Sequence, residues 1–98
     1  MKAYERKGQL YFWCPGCDEP HSVSHDPERA REMRDGSRPC WHWNGSLDKP
    51  TLTPSVNYPG SCHFFVREGR IEFCGDSSHA LAGQAVELPD WPEGVFQL

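Results

Sequence analysis

No apolar run in this chain approaches the roughly 20 residues needed to cross a bilayer, so no membrane partner is expected. The opening Met1-Lys2-Ala3-Tyr4 has none of the apolar character of a secretory signal, and five cysteines are an odd number that cannot all pair. Both observations point to a reducing, cytoplasmic setting rather than an oxidised, secreted one. Surplus positive charge is missing as well. The formal charge is −4, so no nucleic-acid partner is expected. Arg29, Arg31, Arg34 and Arg38 form a local group of cations, but Glu28, Glu32 and Asp35 are interleaved with them, as on a solvated helix face. Apolar residues are scarce, at 37 % of the chain against 9 Gly and 9 Pro. One domain over residues 1–98 with so thin a core needs a cross-link, and with disulfides disfavoured that cross-link is a metal.

What the chain does carry is an aromatic strand, Leu10-Tyr11-Phe12-Trp13, running straight into Cys14-Pro15-Gly16-Cys17. Two thiols three residues apart on a Pro-Gly turn supply half of a tetrahedral zinc site. A thiol–disulfide role for the same motif needs a helix starting at the first cysteine, and Asp18-Glu19-Pro20 follows instead. Ligands for the other half must come from His21, Cys40, His42, Cys62, His63, Cys74 and His79. Cys40-Trp41-His42 begins a Rieske-type pattern, but no Cys-x-x-His completes it.

Residues 9–14 predict a first strand and 21–24 a short return strand. Asp26-Pro27-Glu28 is a helix-start signature, and Gly36 closes a short surface helix whose only apolar stripe is Ala30 and Met33. Residues 41–44 predict a short strand and 50–57 an extended, proline-limited segment, with Trp41 and Trp43 filling or lidding the core. The clearest element is a hairpin, 62–67 and 70–74, turning at Glu68-Gly69. Its register pairs Arg67 with Arg70, Val66 with Ile71 and Phe64 with Phe73. Cys62, Phe64, Val66, Ile71 and Phe73 then form the core face, leaving His63, Phe65, Arg67, Arg70, Glu72 and Cys74 on the other. Residues 80–84 suggest one helical turn, 85–88 a last strand, and the tail an extended strap. The expected fold class is mainly β (small α+β): antiparallel hairpins stapled by a zinc knuckle, with one short surface helix.

Cys62 opens the hairpin on its apolar face, where a thiolate is tolerable only beside a cation. His79 follows in a polar loop within reach of that end of the hairpin. The expected Zn2+ ligands are therefore Cys14, Cys17, Cys62 and His79. His63, which points away from Cys62, is the named substitute for His79, and His21 remains a candidate.

Several stretches taken together are distinctive: Trp43-Asn44-Gly45, Lys49-Pro50-Thr51-Leu52-Thr53-Pro54-Ser55, Cys62-His63-Phe64-Phe65-Val66, Gly69-Arg70-Ile71-Glu72-Phe73, and Asp76-Ser77-Ser78-His79-Ala80-Leu81-Ala82-Gly83-Gln84. With the knuckle and His21, they resemble a family of small phage and prophage proteins classed as a domain of unknown function and often labelled ammonia monooxygenase. The resemblance covers most of residues 9–91. The charged segment around 25–40 looks like an insertion, and Cys40, His42 and Cys74 fall outside the family's usual residues. The motif-matching candidates are then Cys14, Cys17, His21, Cys62, His63 and His79. The resemblance implies a phage setting, hence the cytoplasm of a bacterial host, and implies no activity. Ammonia oxidation in its membrane enzymes needs a transmembrane scaffold that this chain lacks.

Two functions follow as expectations. The first is a phage-encoded, zinc-stabilised protein-binding module with no catalytic residues, acting on a host or phage protein through an exposed tryptophan among Trp41, Trp43 and Trp91. The second is a zinc-dependent hydrolase with three protein ligands, a water, and a general base such as Asp76 or Glu72. Thiolate-rich ligand sets lower the Lewis acidity of zinc, and no His-Glu-x-x-His is present, so the first is preferred.

Overall fold

In the computed structural model, which describes residues 1–26, 40–92 and 94, two left-handed turns shape the hairpins. Lys7 and Gly8 have φ of 50° and 84°, and Glu68 and Gly69 have φ of 51° and 76°. Positive φ at both central residues gives the turn whose twist matches that of the strands it joins. The first turn links β1 (Ala3–Arg6) to β2 (Gln9–Cys14), and β3 (Glu19–Ser24) returns alongside β2 to make a three-stranded sheet. The remaining strands are β4 (His42–Trp43), β5 (Leu52–Tyr58), β6 (Cys62–Arg67), β7 (Arg70–Phe73) and β8 (Ala85–Glu87). They form a five-stranded sheet in chain order, and every pairing in both sheets is antiparallel.

The protein is mainly β, as expected, and no helix occurs among the described residues. The expected surface helix from Asp26 to Gly36 lies outside the described residues but for its first. Residues 80–83 form turns rather than a helical turn. The β6–β7 register is the expected one, with Arg67 opposite Arg70, Val66 opposite Ile71 and Phe64 opposite Phe73. The strand that composition did not suggest is β1, which is short and polar. It forms because Ala3 is fully buried and the N–H groups of Lys2 and Ala3 both donate to the Leu47 carbonyl.

The apolar faces of the two sheets supply one core. Leu10, Phe12, Cys14 and Val23 come from the first, and Leu52, Val56, Cys62, Phe64, Val66, Ile71 and Phe73 from the second. Phe64 is fully buried at the centre, edge-on to Phe12 at 5.8 Å and to Phe73 at 6.1 Å. Burying such a ring contributes about 1.5–3 kcal/mol.

Pairing between β5 and β6 is irregular. Leu52 faces Val66 and Val56 faces Phe64, so four steps along β5 are matched by two along β6. The extra residues bulge out around the cis Thr53-Pro54 bond and Ser55. Bulges of this kind redirect side chains, and they are common beside active sites.

None of Trp41, Trp43 and Trp91 is exposed, which corrects the expectation of an exposed tryptophan anchor. The Trp41 and Trp43 indoles donate to the carbonyls of Ser55 and Ser46 at 3.2 and 3.0 Å, and Trp91 stacks on Tyr4. In a chain with few aliphatics, the large rings are drawn in to cover the core.

Candidate functional site

Strand β6 carries chemistry on both faces. Cys62 points inward to a cluster formed by Cys14, Cys17 and His21, whose four ligand atoms lie within 4.8 Å of one another. The Cys14 and Cys62 sulfurs are 4.0 Å apart. Two sulfurs sharing a tetrahedral zinc at 2.3 Å stand about 3.8 Å apart, so the spacing suits a shared cation. The knuckle folds as a turn that sends the Cys17 N–H to the Cys14 sulfur at 3.4 Å. Burial pushes the Cys14 thiol up, an effect only partly offset by the Cys17 and Gly16 N–H groups. Burial first and the Cys14 charge second push Cys62 strongly up. Crowded, buried thiols such as these become thiolates only with a cation between them.

His21 supplies the strongest sign that the cluster can hold a metal ion. Its ring packs against those of Tyr58 at 4.6 Å and Phe64 at 5.5 Å. Its Nε2 is the one buried side-chain nitrogen or oxygen among the described residues without a hydrogen-bond partner. An orphaned nitrogen of that kind costs about 1–3 kcal/mol unless something fills it. Burial also holds the His21 ring below its ordinary pKa, and Glu19 opposes this only in part, which favours the neutral form that ligates metals.

His79 stands beside this group. Its Nε2 is 3.3 Å from the Cys62 sulfur, and its Nδ1 accepts from the Leu81 N–H at 3.2 Å. The ring lies so close over Gly16 that a Cβ there would be 2.3 Å from His79 Cε1. Cys40 is exposed and Cys74 half-buried, and neither joins the cluster; all five cysteines are free thiols.

The outer face of the same sheet holds a second arrangement. Ser55, presented by the bulge, has its Oγ 3.3 Å from His63 Nε2. His63 Nδ1 in turn lies 3.2 Å from each carboxylate oxygen of Asp76. The carboxylate accepts only, so Nδ1 carries the ring proton and Nε2 is free to accept from Ser55. Strand alternation explains the division: Cys62 faces the core, so His63 faces out.

The loop after β7 holds Asp76 in place through Ser77, a buried residue. Ser77 Oγ accepts the His63 N–H and donates to the His63 carbonyl, both at 3.0 Å. Ser78 adds two bonds to the Ser61 carbonyl, one from its N–H at 2.9 Å and one from its hydroxyl at 3.0 Å. Beside Ser55 opens a pocket of about 450 Å³, lined by Leu52, Pro54, Phe65 and Arg67 among others. The Arg67 guanidinium lies 4.3 Å over the Phe65 ring and pairs with Glu72.

A hydroxyl, an imidazole and a carboxylate in this order can perform nucleophilic acyl transfer. Sequence reasoning had singled out His63 and Asp76, but as a substitute ligand and a general base for a metal. It missed Ser55. The one available signal was alternation about Val56, which puts Ser55 on the outer face once β5 is paired with β6.

Residues 1–74 match the family described as bacterial ubiquitination-like system serine protease (BubE). That span is most of the 98 residues, and the chain belongs to this family. No curated protein and no solved structure matches the chain significantly.

Proposed function

We propose that this member of the BubE family is a serine protease of a bacterial ubiquitination-like system, with Ser55 as nucleophile, His63 as general base and acid, and Asp76 as the carboxylate that orients His63. The observation carrying this reading is the Ser55–His63–Asp76 relay on the open face of the large sheet. As Ser55 Oγ attacks the carbonyl carbon of an amide, its proton passes to His63 Nε2. His63 returns that proton to the leaving amine when the C–N bond breaks, and Asp76 stabilises the imidazolium formed meanwhile. Water then attacks the acyl-Ser55 ester with the same base, which releases the acid and restores the hydroxyl. The pocket beside Ser55 receives an apolar side chain of the substrate against Pro54 and Phe65.

Zinc has a structural part in this reading. Cys14, Cys17, Cys62 and His21 would hold it as three thiolates and one imidazole, a set that would tie the two sheets together and leave no place for a catalytic water. The sequence-based set gave the fourth place to His79. Hydrogen bonding favours His21, because the Leu81 N–H occupies His79 Nδ1 and leaves the proton on Nε2, where it donates to the Cys62 thiolate. A purely protein-binding module, whether for a host or a phage protein, has no use for a hydroxyl–imidazole–carboxylate relay beside a pocket.

Zinc-dependent hydrolysis is the second reading. Its observation is that His63, Cys74 and Asp76 also place ligand atoms within 4.8 Å of one another. The two are separated by Ser55→Ala. In the serine protease, this change removes labelling by a fluorophosphonate and lowers amide hydrolysis by at least about 10³-fold, while the zinc content of the purified protein stays the same. Full activity in Ser55→Ala overturns the proposal.

A further inference from the structure

Cys74 stands beside the relay, and the proposed chemistry gives it no task. It directly follows β7 on the way to Asp76, and its N–H donates to the His63 carbonyl at 2.8 Å. Its sulfur, a His63 ring nitrogen and an Asp76 oxygen form a group of three different donors within 4.8 Å, and the His63 nitrogen beside Asp76 is Nδ1. The His63–Asp76 contacts are both 3.2 Å, longer than the roughly 2.7–2.9 Å of a tight charge-assisted hydrogen bond. Two ligands on a tetrahedral zinc, with bonds of about 2.0–2.2 Å, stand about 3.3–3.6 Å apart. The separation is therefore close to that of two ligands of one cation. The cluster is also open to solvent, since the Asp76 side chain is 67 % exposed.

We infer that His63, Cys74 and Asp76 form a second divalent-metal site, selective for zinc, whose occupation switches the protease off. This rests on the serine-protease reading for its effect and on the three donors alone for its existence. Nitrogen, thiolate and carboxylate together suit zinc over magnesium or calcium. The cation takes His63 Nδ1, so the ring proton moves from Nδ1 to Nε2. The Cys74 thiol loses its proton to solvent, and the Asp76 carboxylate turns from the imidazole to the metal. Each zinc bound thus releases one proton. With its proton on Nε2, His63 faces the Ser55 hydroxyl as a donor and can no longer accept from it. The knuckle cluster lies on the opposite face of β6 and keeps its own metal throughout.

The test uses the full chain, purified with its knuckle zinc and titrated with zinc chloride. Binding is followed by competition with a chromophoric chelator, and the relay by the rate of Ser55 labelling with a fluorophosphonate. The wild type should take up a second, weaker equivalent while labelling slows more than about tenfold, as expected when a general base is withdrawn. Cys74→Ala and Cys74→Ser should label at the wild-type rate without added zinc. Both should bind the second equivalent about 10–100-fold more weakly, and labelling should persist across the same zinc range. Absence of a second equivalent in the wild type overturns the site, as does unchanged binding in both Cys74 variants. Binding that leaves labelling unchanged overturns the switch. If Ser55 is never labelled, the serine-protease reading fails and the switch with it, while the stoichiometry still decides the site. Zinc that accelerates hydrolysis equally in wild type and Ser55→Ala overturns both in favour of a metal hydrolase.

Discussion

Cys62 and His63 are neighbours in sequence, and the pleat of β6 sends one into the core and the other to the open face. A cysteine of the buried Cys/His cluster thus stands next in the chain to the residue proposed as general base. On the core side, the competing claims of His21 and His79 can be separated by single substitutions. His21→Ala leaves three thiolates and should release zinc to a chelator at least about 10-fold faster, whereas His79→Ala removes contacts around Cys62 but no ligand and should have the smaller effect. Chelator competition on the two purified variants measures this, and the reverse order would return the fourth position to His79. That Cys14 and Cys17 stand together was legible in the sequence, because the Pro-Gly turn between them brings both side chains to one place. That His21 stands in the cluster was not legible, since its place beside Cys62 follows from how β3 packs against Phe64 of the other sheet.

At the scale of elements, the β6–β7 hairpin was readable down to its register because its turn and its alternation agree. The β5–β6 pairing was not. Its bulge breaks the period of two on which register arguments rest, and it does so where Ser55 is presented. The loop after β7 is a further case, for the Ser77 hydroxyl ties it to both backbone groups of His63. Ser77→Ala leaves the His63 N–H without its partner and frees the segment carrying Asp76, at a cost of about 1–3 kcal/mol in stability. Since Ser77 does not touch the substrate, kcat should fall about 10-fold or more with little change in KM. Ser77→Thr, which restores the hydroxyl, should recover most of it. A Ser77→Ala enzyme with wild-type kcat would show that the loop is held by other means.

Across the whole molecule, the Cys/His cluster and the relay share β6, through Cys62 and His63. Cys14 and Cys17 come from the small sheet and its turn, and Cys62 from the large sheet, so a metal among them joins the sheets at the end where β6 begins. Composition made a thin core legible, but not which strands bring the Cys/His cluster together, because that follows from how two sheets pack. Removing zinc should therefore lower Tm by more than about 10 °C, since each kcal/mol is worth about 4–8 °C in a domain of this size. Serine labelling should fall along with it, although the metal touches no substrate. The metal-free chain should also acquire a particular dependence on pH. Burial raises the Cys14 and Cys62 thiols above their ordinary value of 9.0, so above pH 9 the unfolded chain sheds protons that the folded chain retains. Stability that is fully present below that point is then lost as pH rises. Burial lowers His21 from its ordinary 6.5, so below that pH the unfolded chain binds a proton that the folded chain refuses, and stability falls there too. Thermal melts of the chelated protein should thus reach a maximum between these limits. With zinc bound the thiols are already thiolates, and the alkaline decline should disappear. If zinc-loaded and chelated proteins lost stability alike above pH 9, the buried thiols would not be the metal's ligands.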